Sequence, residues 1–219
     1  MVEIIIATGN PKKFRELAAL LTVPRLPQRV RWRSLREMPR MPSVREDGRT
    51  FRDNALKKAR VVARRTGGWV IADDSGLEVD ALGGAPGVRS ARFAGRHGDD
   101  RANNAKLLHL LHGVPGAQRR ARFRCVLALA DPRRVLAVTE GVWTGHIATA
   151  LRGRRGFGYD PLFLVPRLGK TSAQLPPTVK NRLSHRGRAV RAMHRRLARL
   201  LKTVGPAARG ARGSRAGPS

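Results

Sequence analysis

The apolar residues of this chain come in short runs, and that bounds the fold more tightly than any other feature. The longest unbroken run, residues 125–130, has six members. That is one strand's length, far below the roughly 20 residues a membrane span needs. Val2-Glu3-Ile4-Ile5-Ile6-Ala7 and Trp69-Val70-Ile71-Ala72 also read as buried strands. Helix signals stand between them. Asn10 is placed as an N-cap with Pro11 at the first helical position, and Phe14, Leu17, Ala18 and Leu21 follow at i, i+3, i+4, i+7 spacing. Thr50-x-x-Asp53 resembles a capping box, with Asp in the usual place of Glu, and opens a helix that Gly67-Gly68 ends. The stretch 22–45, rich in Pro and Arg, gives only a strand over 30–32.

Beyond residue 72 the pattern changes. Gly83-Gly84-Ala85-Pro86-Gly87 reads as loop and 99–111 as helix. An alternating run from Arg122 leads into the 125–130 strand, Asp131-Pro132-Arg133 turns the chain, and strands over 134–139 and 141–149 complete a meander. A Gly/Arg-rich loop spans 153–160 and a last helix spans 178–202. Helices alternating with strands early and a meander late predict an α/β fold, a mixed sheet covered by helices. A domain over 1–203 and a disordered Gly/Ala/Arg-rich tail over 204–219 are expected.

Charge is the second constraint. Lys and Arg number 45 against 15 Asp and Glu, a formal net charge of +30, and 37 of the 45 are Arg. Such a field attracts polyanions, including nucleic acid and nucleoside triphosphates. However, 41% of residues are hydrophobic, too many for a disordered polycation, and aromatics are only 5%, few for stacking single strands. Arg is spread along the whole chain until residues 176–202, where nine Lys/Arg occur with no acid. A single cysteine, Cys125, excludes a disulfide framework and a thiolate zinc site. The N-terminus has neither a basic stretch nor a cleavage site, so a cytoplasmic protein is expected, with no membrane association.

Four segments carry candidate chemistry. Thr8-Gly9-Asn10-Pro11-Lys12-Lys13 places two lysines at a helix start, against the macrodipole; an anion docked on free backbone N–H groups there would resolve the conflict. A basic first turn arising by accident is equally compatible. Asp73, Asp74, Glu78 and Asp80 fall within eight residues, with Glu46, Asp47 and Asp53 shortly before. Carboxylates held together repel unless a cation compensates, and a strand end is where α/β sheets place ligand groups. That favours Mg²⁺ or Mn²⁺ at Asp73-Asp74, with Arg-paired surface roles for Glu78, Asp80 and Asp47. Gly156-Phe157-Gly158-Tyr159-Asp160-Pro161 offers an aromatic face between glycines, either a base platform or a core corner. Lys180-Asn181-x-x-Ser184-His185-Arg186 could donate to a carbonyl or a phosphate, or could simply cap the last helix.

Together these segments resemble the inosine/xanthosine triphosphate pyrophosphatase family, from Glu3 to Met193. The resemblance rests on Thr8-Gly9-Asn10-x-x-Lys13, on Glu46-Asp47-Gly48-x-Thr50-Phe51-x-x-Asn54-Ala55-x-x-Lys58-Ala59, and on the long segment from Ala72-Asp73-Asp74-Ser75-Gly76 to Pro86-Gly87-Val88. Ser90-Ala91-Arg92-Phe93-Ala94-Gly95 and the last two segments above complete it. The resemblance implies an elongated mixed sheet flanked by helices, two lobes around a central cleft, and a homodimer. It implies Mg²⁺-dependent hydrolysis of dITP, ITP and XTP to the monophosphate and pyrophosphate. By motif position, Asp74 would be general base and metal ligand, and Glu46 a second ligand. Thr8, Gly9, Asn10, Pro11, Lys12, Lys13 and Ser75 would hold the substrate, with Lys58 assisting at phosphate. Phe157 would stack on the purine beside Gly158, Tyr159 and Asp160, and Lys180, His185 and Arg186 would complete the base pocket.

The chain departs from the family where Gly169-Lys170-Thr171 is followed by Ala173-Gln174-Leu175, with Gln in place of the usual Glu, and where acids are absent before Lys180-Asn181. Two rivals stay open: a basic nucleic-acid-binding protein with vestigial catalysis, and a Maf-like pyrophosphatase acting on pyrimidine nucleotides.

Overall fold

The computed structural model describes residues 1–22, 26–27, 29–38, 41 and 44–203; the tail expected over 204–219 lies outside them. Strand β1 (Val2–Ala7) leads into α1 (Pro11–Thr22), β2 (Val30–Ser34), α2 (Phe51–Thr66) and β3 (Trp69–Val79). Then come α3 (Asp100–Leu110), β4 (Arg120–Ala130), β5 (Val135–Ile147), β6 (Phe163–Val165), β7 (Lys170–Thr171), α4 (Pro177–Leu183) and α5 (His185–Thr203). The Thr50/Asp53 box forms as expected. The Asp53 amide donates to Thr50 Oγ1 at 3.1 Å, and the Thr50 amide to Asp53 Oδ2 at 3.2 Å.

The strands form one mixed sheet in the order β2-β1-β3-β4-β5-β6-β7. The first three are parallel and the rest antiparallel. Because side chains alternate across a strand, each face has its own core. Ile4, Ile6, Ile71, Leu127 and Leu129 pack with α1 and α5, while Ile5, Val70, Ala72, Val126 and Ala128 pack with α2. A third core, with Leu77, Phe123, Trp143 and Phe163, underlies the antiparallel half together with Leu107 of α3.

Three expectations change. Asp74 is not at a strand end: β3 runs on to Val79, because β4 pairs with it as far as Val79↔Ala121. What ends at Ala72 is the parallel neighbour, since the last β1–β3 pair is Ala7↔Ala72. A crevice therefore opens beside Asp73 and Asp74 where parallel pairing gives way to antiparallel pairing.

Residues 134–139 and 141–149 are not two strands but parts of one. Gly141 lies inside β5, paired with Cys125. A Cβ there would collide with the His185 carbonyl and stand 2.6 Å from the Ala189 nitrogen, so glycine allows α5 to lie directly on the strand. The later meander strands are β6 and β7 instead.

Residues 178–202 are likewise two helices. Ser184 is extended (φ −65°, ψ 157°), and its hydroxyl accepts from the Gly187 amide at 3.1 Å, starting α5 afresh. The break turns His185 and Arg186 toward the crevice. Gln174 replaces the family's usual Glu without loss of local order: its side chain accepts from the Thr171 amide at 2.9 Å and closes a capping box, a role Gln and Glu share.

Candidate active site

The site starts at the turn after β1. Asn10 Oδ1 accepts from the amides of Lys12 (2.9 Å) and Lys13 (3.2 Å), and Thr8 Oγ1 accepts from the Asn10 amide at 3.2 Å. Pro11 has no amide, and the Phe14 amide is bonded to the Asn10 carbonyl. The expectation of free N–H groups at this helix start is thus corrected: Asn10 caps them. The side chains of Lys12 and Lys13 line the crevice with Thr8 and Gly9.

Next to this turn, strand periodicity separates the two aspartates that look like one cluster in the sequence. Asp73 points to the α1/α5 face. It meets Lys13 Nζ at 3.1 Å and Ser75 Oγ at 3.2 Å, and Ser75 in turn receives a hydrogen bond from Arg186 at 3.2 Å. Burial pushes the Asp73 carboxyl upward, but Lys13, Lys58 and Arg186 overcome it and hold the pKa at about 2. Asp74 points to the α2 face, where Asn54 Nδ2 donates to its Oδ2 at 2.9 Å. Burial first, and the Glu46 charge second, raise its pKa to about 6. One aspartate is therefore a fixed counter-ion and the other is poised to take up and release a proton near neutrality.

Lys58 ties the two halves together. It ion-pairs with Glu46 and donates to the Asp73 carbonyl at 2.8 Å. Burial opposes its charge, yet Asp73 and Glu46 keep its pKa above the ordinary value. Arg92 holds the Glu46 carbonyl at 3.0 Å. Glu46 and Asp74 present only carboxylate oxygens, which suit a hard divalent cation. Among the described residues no group of three metal-binding side chains occurs, so an ion held by this pair would keep positions free for substrate oxygens.

A second cavity adjoins the first, and Asn10, Lys13, Ser75 and Phe157 line both. Its far wall is Gly158, Tyr159, Asp160, Lys180, His185 and Arg186. Asp160 works as a bracket, accepting from the Phe157 amide at 2.9 Å, Ser172 Oγ at 2.7 Å and Lys180 Nζ at 2.5 Å. Gly156 has φ 83°, and a Cβ there would strike the Asp160 carboxylate. Tyr159 gives its hydroxyl to the Ser90 carbonyl at 2.9 Å. The cations of Lys180 and Arg186 sit 5.5 and 5.3 Å from the Phe157 ring centre. His185 stacks on Phe123 at 4.7 Å; burial, then Arg186 and Lys180, force its pKa far down, so the imidazole is neutral at pH 7. Nδ1 of His185 and Nε of Arg186 are buried without a hydrogen-bond partner among the described residues.

The residues given a role by the family resemblance line one continuous cleft or bond directly to its walls. Glu78 and Asp80 instead form the expected pairs with Arg122 (2.5 and 3.6 Å), while Asp47 pairs with Lys57 (2.6 Å) and not with an arginine. Sequence reading gave no role to Asn54, Asp100, Asn104 or Glu16. Asp100 Oδ2 accepts from the Gly158 amide and Asn104 Nδ2 donates to its carbonyl, both at 2.8 Å, and Glu16 pairs with the buried Arg186 at 2.7 Å. Asn54 had a usable signal: with Lys58 it breaks the apolar stripe of α2 formed by Phe51, Ala55, Ala59 and Val62. The other three have none locally, because their partners are distant in the chain. The Asn54 hydrogen bond favours the charged form of Asp74. Asn54→Ala is therefore expected to move the acid limb of the kcat/KM–pH profile upward from the wild-type value. The wild-type limb should lie no higher than about 6, since a bound cation favours the carboxylate. Profiles of the two proteins check this, and coincident limbs would detach Asn54 from Asp74.

The profile of the Ham1 family matches residues 4–196. The chain is 52% identical over 199 residues to a dITP/XTP pyrophosphatase of Desulforamulus reducens, covering 91% of this chain and 97% of the relative. It is 53% identical over 190 residues to one of Geobacillus kaustophilus, covering 87% and 91%. The structure of a HAM1 protein from Coxiella burnetii is similar with TM-score 0.80 and 38% identity, over 93% of this chain and all of the other (100%). A nucleoside-triphosphatase / dITP/XTP pyrophosphatase from Mycobacterium abscessus gives TM-score 0.72 and 46% identity, over 88% and 98%. A family profile over most of the chain and relatives about half identical to it show that the chain belongs to the Ham1 family.

Proposed function

We propose that this chain hydrolyses non-standard purine nucleoside triphosphates (dITP, ITP, XTP and dXTP) to the monophosphate and pyrophosphate. The observation that carries the reading is the placement of Asp74. Its carboxylate, with a pKa raised to about 6, lines the lysine-lined crevice that adjoins an aromatic-walled cavity. The names of the relatives support the same chemistry. A water oxygen attacks the α-phosphorus, the bond to the bridging α–β oxygen breaks, and pyrophosphate leaves. Asp74 takes the water proton. Lys12 and Lys13 meet the polyphosphate from α1, while Lys58 keeps Glu46 and the Asp73 carbonyl in place. Mg²⁺ on Glu46 and Asp74, when bound, supplies charge neutralisation for the phosphate oxygens and acidifies water. The carboxylate donor set supports Mg²⁺.

In the base cavity, Phe157 supplies the stacking face. Lys180, Arg186 and the neutral His185 recognise the purine edge. Adenine carries an amino group where hypoxanthine and xanthine carry a carbonyl, and would leave donors unpaired at about 1–3 kcal/mol each. Release of phosphate from dITP, XTP, dGTP, ATP and pyrimidine triphosphates, with Mg²⁺ and added inorganic pyrophosphatase, tests this. The dITP and XTP rates are expected to exceed the ATP rate by at least about tenfold, and to exceed the dGTP and pyrimidine rates. A dITP rate no higher than that for dGTP, or preference for a pyrimidine, defeats the reading. The family likeness also supports a homodimer and a cytoplasmic location. Sedimentation of the purified chain checks the first, and fractionation of the source cells the second.

A further inference from the structure

The catalytic reading leaves most of the +30 charge unused, and the charge is not evenly placed. Residues 161–219 contain fourteen Lys/Arg and no Asp or Glu. Within that stretch, α5 buries an apolar face against the sheet and exposes Arg188, Arg191, Arg195, Arg199 and Lys202 at three- and four-residue steps. This spacing keeps them on one side of the helix, as a ridge about 21 Å long at 1.5 Å per residue. Like charges at i, i+4 repel, and burial together with Arg188 and Arg195 lowers the pKa of Arg191. Among the described residues no acid pairs with the ridge. On the elements packed against α5, Glu16 is held by Arg186 at 2.7 Å and Glu140 by Arg124 at 2.5 Å. Arg188 and Arg191 are braced on carbonyls of Leu183, Val142, Asn181 and Arg182 at 2.8–3.2 Å. Arg195, Arg199 and Lys202 pair with no acid among the described residues.

We propose that the outer face of α5 binds the phosphate backbone of duplex nucleic acid without reading its sequence. A duplex presents one charge per roughly 1.7 Å of axis, so a segment as long as the ridge carries about a dozen phosphate charges, of which those on the near side face it. Single strands fit less well, because α5 offers no aromatic side chain for stacking. A lipid surface fits less well too: the exposed large hydrophobics among the described residues (Met1, Val61, Leu110, Leu151, Leu168) all lie off this helix. A second copy of the same face would only add repulsion.

The test is fluorescence anisotropy of a labelled duplex of about 24 base pairs with the full chain, at salt between roughly 50 and 200 mM. Three proteins are compared: wild type, R195Q/R199Q/K202Q, and R60Q/R64Q/R65Q, which removes equal charge from the exposed side of α2. The α5 variant is expected to bind at least about tenfold more weakly and to flatten the log K–log[salt] slope by about 2.7, from 0.9 per lost contact. The α2 variant should stay within about twofold of wild type. Turnover of dITP and melting temperature should be unchanged in both, and this separates loss of the ridge from loss of the fold or of the catalytic reading. Equal weakening by both variants would mean diffuse charge. Unchanged binding by the α5 variant would place the contact elsewhere, in residues 204–219 for instance. Tighter binding to phosphatidylserine vesicles than to the duplex would make the ligand a lipid surface. Any of these three results overturns the proposal.

Discussion

Asp74→Asn is expected to lower kcat for dITP about 10³-fold, within the range by which a positioned general base contributes, while making the protein more stable. The second half follows from the sign of the pKa shift. The Asp74 carboxyl titrates at about 6 in the folded chain, against 3.8 for the ordinary side chain. The folded state therefore binds the proton more readily than the unfolded one. Stability is reduced above pH 6 and recovers as pH falls from about 6 towards 4. Two pKa units correspond to roughly 3 kcal/mol at pH 8. Asparagine removes that term, and its one oxygen keeps the bond from Asn54 Nδ2 or the one from the Ser75 amide but not both. A rise in melting temperature of about 6–12 °C in chelator at pH 8 is expected for a chain of this size. Turnover within tenfold of wild type would reassign the base, and a fall in melting temperature would remove the argument from burial and Glu46.

Gly141→Ala is expected to lower both activity and stability. The added Cβ meets backbone on both sides, the His185 carbonyl and the Ala189 nitrogen, and neither can rotate away. Overpacking of this kind costs about 1–3 kcal/mol when side chains can adjust, and more when a helix must lift. A drop of at least about 6–12 °C in melting temperature follows from about 3 kcal/mol. Because the displaced turn of α5 carries His185 and Arg186, KM for dITP should rise more than kcat falls. Calorimetry and steady-state kinetics on one preparation measure both. An unchanged melting temperature would show that α5 does not rest on Gly141 as described. The two variants thus lose activity with opposite effects on stability, and a reading of both as merely structural would miss that.

Gly141 also shows where sequence reading reached its limit. In a strand pattern a glycine suggests a break, and 134–139 and 141–149 divide at that point for that reason. The structure keeps the strand whole because the missing side chain makes room for a helix 44 or more residues later. The Ser184 break differs: its hydroxyl accepts from the Gly187 amide, a local cap that the reading of one helix over 178–202 passed over. At the other local contacts, expectation and structure agree. The Asn10 cap, the Thr50/Asp53 box and the Asp131 turn, whose carboxylate accepts from the amides of Arg133 and Arg134 at 2.8 and 2.7 Å, all involve partners within three residues.

The amino-acid sequence by itself determined the element order through Ala72, the α/β class, the family and the residue types of the cleft. These rest on periodicity, capping and motif, which are properties of neighbours along the chain. The family resemblance singled out Asp74, but only the tertiary structure showed the physical difference between the two adjacent aspartates. Strand alternation sends Asp73 among Lys13 and Arg186 and Asp74 toward Glu46 and Asn54. A pKa is set by burial and by charges within a few ångströms, and those charges come from α1, α2 and α5, at separations of up to 113 residues between Asp73 and Arg186.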